Sequence, residues 1–209
     1  GQKATREDAA ATREAMNFFR PKDAYYGPFT NSSYPAPPRD CALSSYLTRA
    51  YYKYDRKSPL RWQVFWATWE KVRRGYELAI AYERRHAPAN PLAPTIEYSW
   101  FIRLRTDLFL FGDVPRFDTL PPDAVNLPFG VCTCTAGQNN GHPCGNDHVA
   151  LAPRVHADSY FRLSETIETC HGGDFAKQMT DFGGSYMWWH VSRTAPIASP
   201  LVMYTILRP

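Results

Sequence analysis

No stretch of this 209-residue chain approaches the ~20 consecutive apolar residues that cross a bilayer as a helix. No signal-peptide pattern is visible either. The chain begins at Gly1 rather than Met, as expected of a processed, truncated or partial sequence, so a targeting segment or anchor upstream stays open. A dense basic patch is also lacking. The 24 Lys and Arg against 20 Asp and Glu give a net charge of +4 that is spread along the chain. That disfavours nucleic acid as a partner and suits a small anionic ligand. Internal repeats are absent.

What is present is apolar and aromatic. Hydrophobic residues make up 44% of the chain, enough for one domain over residues 1–209 with a sizeable core. Six Trp, 13 Tyr and 12 Phe are more than a minimal core needs, and such residues fill cores or line pockets.

Residues 1–20 read as a helix rich in Ala, Glu and Arg, ended by Arg20-Pro21. A Pro-rich loop follows at 21–40, carrying the glycosylation sequon Asn31-Ser32-Ser33. From Arg61 to Arg85 the stripe Phe65, Trp69, Val72, Tyr76 and Ile80 predicts a long amphipathic helix. Residues 98–111, "YSWFIRLRTDLFLF", read as a buried strand that runs through, or turns at, its charged centre. Short strands are expected near Val125 to Leu127, at "HVALAP", and in the tail "PLVMYTILRP". "ADSYFRLSETIETC" predicts an amphipathic helix with Tyr160, Phe161, Ile167 and Cys170 on one face. Helices alternating with short strands give an α/β class.

The charges inside the 98–111 strand pose the functional question. An unpaired charge in a core costs several kcal/mol, so a purely structural strand avoids Arg103, Arg105 and Asp107. If the strand ends near Leu104, Arg105 to Asp107 fall at its carboxyl edge, where open α/β sheets bind ligands. Guanidinium groups there suit phosphate, and a carboxylate suits a hard divalent cation. The alternative is a structural ion pair.

"YELAIAYE", "YSWFIRLRTDLFL" and "NDHVALAPRVHADSYF" together resemble a glycosyltransferase-like domain family of the GT-A type, found in algae, bacteria and large algal viruses. Tyr82-Glu83, Trp100, Arg103, Arg105, Asp107, Asn146-Asp147 and Arg154 fall on its pattern, over about half the chain. The resemblance implies a mixed sheet flanked by helices that binds a nucleotide-sugar and transfers the sugar to a glycan or protein acceptor. It implies that Asp107 holds Mn2+ or Mg2+ on the donor diphosphate, with Arg103 and Arg105 as further donor-binding residues. Asp147 becomes the candidate catalytic base, with a turn role as its alternative. Two departures stand out. Arg105 replaces the first carboxylate of an Asp-x-Asp pair, and nothing before Phe18 reads as the first apolar strand of that fold. Both suit a second expectation, a non-catalytic subunit of this fold within a larger protein assembly.

The loop at 130–148 concentrates Cys132, Cys134, His142, Cys144 and His148. These residues suit either a Zn2+ site or a disulfide of Cys144 with Cys132 or Cys134, with Cys170 available to either. The five cysteines leave one over. The loop has no nucleophile signature for a thiol–His hydrolase. Sequon and cysteines together lean towards the secretory route. "MWWH", Met187 to His190, is either a buried aromatic cluster or a platform for a sugar ring.

Overall fold

The computed structural model describes residues 41, 61–89, 95, 97–105, 108–110, 112, 115–128, 147–171, 183–200, 202 and 204–206. The expected N-terminal helix, the 21–40 loop with its sequon, and most of the 130–148 loop lie outside them.

Helix α1 spans Arg61–Arg85, as its apolar stripe predicts. Phe65, Trp69 and Tyr76 are buried on one face. Arg84 and Arg85 occupy the last turn, where cations oppose the negative end of the helix dipole. Strand β1, Trp100–Leu104, follows, then β2, Leu108–Leu110. A 3-10 turn at Phe117–Thr119 leads to β3, Val125–Asn126, and β4 is Val149–Pro153. A second 3-10 turn, Arg154–His156, opens α2, Ala157–Phe161, and α3, Leu163–Glu168. Helix α4, Gly183–Thr194, precedes β5, Ile197–Ala198, and β6, Tyr204–Ile206.

Four strands form a mixed sheet in the order β1-β4-β3-β5. β4 runs antiparallel to both β1 and β3, while β3 and β5 are parallel. The fold is therefore α/β. Of the two readings of residues 98–111, the one that ends the strand at its charged centre holds, and there are two strands. β1 stays with β4, and β2 pairs with β6 in a separate ribbon. The single helix expected from Ala157 is also divided. Arg162 leaves the helical basin at φ −100°, ψ 20°, and separates α2 from α3.

Alternation along the strands sorts the core into two layers. Phe101, Ala150 and Ala152 face the helices and join the main cluster with Trp69, Tyr160 and Tyr186. The two alanines leave room for those rings. Val149, Leu151 and Leu120 form a smaller cluster on the opposite face, with Trp100 against it. β4 is buried along its whole length because both faces are covered. β1 is an edge among the described residues, and Ile102 and Leu104 on its outer face remain exposed.

One disulfide is present among the described residues, and it joins Cys41 to Cys170 across 129 positions of sequence. Cys170 is thus engaged outside the 130–148 loop and is not available to that cluster. Cys41 was not foreseen as its partner.

Candidate functional site

The antiparallel β1–β4 pair brings the carboxyl end of one strand beside the amino end of the other. The Arg105 amide donates to the His148 carbonyl at 3.1 Å and extends the ladder by one pair past Leu104. Arg103, Arg105, Asp147 and His148 therefore meet at one end of the sheet. Asp107, the expected metal ligand, lies outside the described residues, as do Cys132, Cys134, His142 and Cys144. Among the described residues no group of three or more His, Cys, Asp or Glu is placed to hold a metal ion.

Arg103 is the best-defined member of the group, with its side chain only 9% exposed. Its guanidinium carbon sits 4.7 Å from the centre of the Trp69 ring, a cation–π contact. One nitrogen donates to the Tyr160 hydroxyl at 3.0 Å, and the other lies 4.0 Å from an Asp147 carboxylate oxygen. Burial pushes the Tyr160 hydroxyl above its ordinary pKa, against the Arg103 charge. Tyr160 therefore stays a neutral hydroxyl that accepts from Arg103. The charge that looked costly in the sequence has an aromatic face, a hydroxyl and a carboxylate around it. Trp69 and Tyr160 were legible as core residues. Their role as the cage of Arg103 was not, because the three residues come from three separate elements.

Asp147 is one-third exposed, and its second oxygen lies 3.4 Å from His148 Nε2. It is thus held from the protein side and open on the solvent side. Alongside, a hollow of about 580 Å3 runs between the outer edge of β1 and helix α1. Lys71, Tyr76, Tyr98, Ile102, Arg103 and Leu104 contribute to its walls. Its volume is in the range of small-molecule sites. Gly75 belongs to the α1 wall, and a methyl group built there meets nothing within 4 Å.

Other residues of the motif have a different task. Glu83 is 6% exposed and accepts from Arg154 Nη1 at 2.7 Å and from the Tyr98 amide. The same Arg154 nitrogen reaches the Tyr98 carbonyl at 3.3 Å. Burial raises the Glu83 carboxyl, but the Arg154 guanidinium and the Tyr98 amide outweigh it and hold the group below its ordinary pKa. Glu83 and Arg154 staple the end of α1 to the start of β1 and the end of β4. Sequence reading also missed Glu70, which is buried at 1% and bonded to Arg73, Arg74 and Ser164. The run Glu70, Arg73, Arg74, Glu77 at helical spacing was its signal.

Comparison with protein-family models, with curated proteins and with solved structures finds no match for this chain.

Proposed function

We propose that this domain is a glycosyltransferase of the GT-A type, moving a sugar from a nucleotide-sugar donor to a glycan or protein hydroxyl. The hollow beside β1 carries the reading, because Arg103 and Leu104 from the carboxyl half of that strand line it. The donor occupies the hollow, with its diphosphate towards Arg105. Asp107 is the residue that would hold Mn2+ or Mg2+, which supplies a positive charge to the leaving diphosphate. Asp147, open to solvent on one side, takes the proton of the acceptor hydroxyl in an inverting transfer. Arg103 is too enclosed to reach a ligand freely and acts as a positioning residue for Asp147.

One observation favours a second reading, a non-catalytic subunit of the same fold. Arg103, Glu83 and Arg154 each carry the family resemblance, and each is engaged by the protein's own groups.

Thermal stabilisation by a panel of nucleoside diphosphates, with and without Mn2+, separates the two. A metal-dependent rise with one of them, and loss of turnover without loss of fold in Asp147→Asn, supports the transferase. No shift with any nucleotide leaves the subunit reading.

A further inference from the structure

A second cavity shares no residue with the hollow along β1. It has a volume of about 480 Å3 and lies between the end of α3 and the second half of α4. Glu165 lines it from α3, Thr169 and His171 from the turn beyond, and Trp189, His190 and Arg193 from α4. The "WH" of the aromatic motif thus opens into a cavity, while its Met187 is fully buried in the core.

The two walls are fixed in relation to each other. Cys170, at φ 55°, turns the chain after α3, and its bond to Cys41 ties that turn down. The Tyr186 hydroxyl, on α4, donates to the His171 carbonyl at 2.9 Å. The cavity is therefore built before any ligand arrives.

Its chemistry is mixed. The Trp189 ring is half-buried, with the His171 ring 5.9 Å away and the Arg193 guanidinium at 5.2 Å. Glu165 accepts from Arg162 Nη1 at 2.8 Å and keeps further lone pairs for a ligand. Thr169 and Thr194 donate their hydroxyl protons to helix carbonyls, so their oxygens face a ligand as acceptors. Burial, with His171 nearby, pushes His190 down to about pKa 4, so its ring is neutral at physiological pH. A hydrogen bond with the Ser159 backbone takes one ring nitrogen and leaves the other for a ligand.

This set discriminates between ligand classes. An anion would meet the Glu165 carboxylate, gain no charge from His190, and find Arg193 as the one cation among the described residues of the lining. Among the described residues no metal-holding group exists here. A purely apolar ligand would offer no hydrogen bond to Arg193 or to the remaining ring nitrogen of His190. A hydroxyl that both donates and accepts satisfies all of them, and an aromatic ring packs against the C–H face of a sugar. We infer that this cavity is a binding site for a neutral saccharide, with Trp189 as its ring and Arg193, His190, Glu165 and Thr194 as its hydrogen-bonding rim. It anchors a glycan at a place separate from the proposed transfer site, and does not depend on that reading.

The test titrates the full chain with neutral hexasaccharides, namely cellohexaose, maltohexaose, xylohexaose and N-acetylchitohexaose. The readouts are tryptophan fluorescence and the NMR signals of the Trp189 indole and the His171 and His190 rings. At least one sugar is expected to saturate and to move those signals. Thr194→Val and Arg193→Ala alter exposed residues and each should weaken binding about threefold to tenfold, the loss of one hydrogen bond. Asp147→Asn should leave the affinity unchanged. The inference is overturned if no sugar moves these signals, if both rim variants bind as the parent does, or if phosphate displaces the sugar.

Discussion

Removing Arg154 tests whether the motif residues Glu83 and Arg154 are a staple. Arg154→Met keeps the aliphatic stem and removes the guanidinium. The Glu83 carboxylate, 6% exposed, then keeps only the Tyr98 amide as a donor. Breaking a fully buried ion pair from one side costs about 3–5 kcal/mol. The Arg154 side chain is 36% exposed, so water screens part of that interaction, and about 2–3 kcal/mol is expected. Glu83→Gln keeps an acceptor for the Tyr98 amide and should cost about 1–2 kcal/mol. The double variant should show a coupling of about 1.5–2.5 kcal/mol, the range for a hydrogen bond between charged groups. Urea unfolding followed by tryptophan fluorescence measures all four proteins. The folded-state pKa of Glu83 lies below the ordinary 4.5, so its stabilisation is complete above that value and is lost as pH falls through the folded one. The coupling should therefore persist at neutral pH and vanish in acid. A coupling below about 0.5 kcal/mol at neutral pH would show that the geometry of this pair has been misjudged. A nucleotide-binding defect in Arg154→Met with unchanged stability would return the pair to the site.

Three further outcomes are expected. Gly75→Ala should raise stability by about 0.5–1 kcal/mol in the same urea assay, since Gly75 is an exposed mid-helix position with open space for a methyl group. Reduction of Cys41–Cys170, which closes a loop of 129 positions, should lower stability by about 2–5 kcal/mol, read as a fall in the urea midpoint with reductant. NMR titration should find the His190 ring neutral down to about pH 4. Unfolded His binds its proton near 6.5, so the contribution of His190 is complete above that pH and declines between 6.5 and about 4.

Helix α1 was legible to its ends because a five-residue apolar stripe repeats at helical spacing and a proline-rich segment follows it. β4 was legible as a short apolar run. The break after Leu104 was harder to fix, because apolar residues continue to Phe111 while the partner strand β4 begins only at Val149, opposite Leu104. Only pairing sets that limit. Helix α4 was hidden by its composition. "GGSYMWWHVSRT" is rich in glycine, aromatic and β-branched residues of weak helix propensity, and burial of Tyr186, Met187 and Val191 overrides that preference. At the site, Arg103, Arg105 and Asp147 were singled out one by one in the sequence, but their proximity and the Trp69–Tyr160 cage needed three-dimensional adjacency. The Cys41–Cys170 bond was invisible for the same reason, and the closely spaced cysteines of 130–148 drew attention away from it.

That bond makes a covalent ring of everything between its two ends, including α1, the strands β1 to β4, and α2 and α3. A protease that cuts one peptide bond inside the ring opens it without dividing the molecule. Nicked protein should migrate as one species on a non-reducing gel and fall into two fragments once reductant is added. The docking of helices on the sheet can thus survive a surface nick that would otherwise release half the domain.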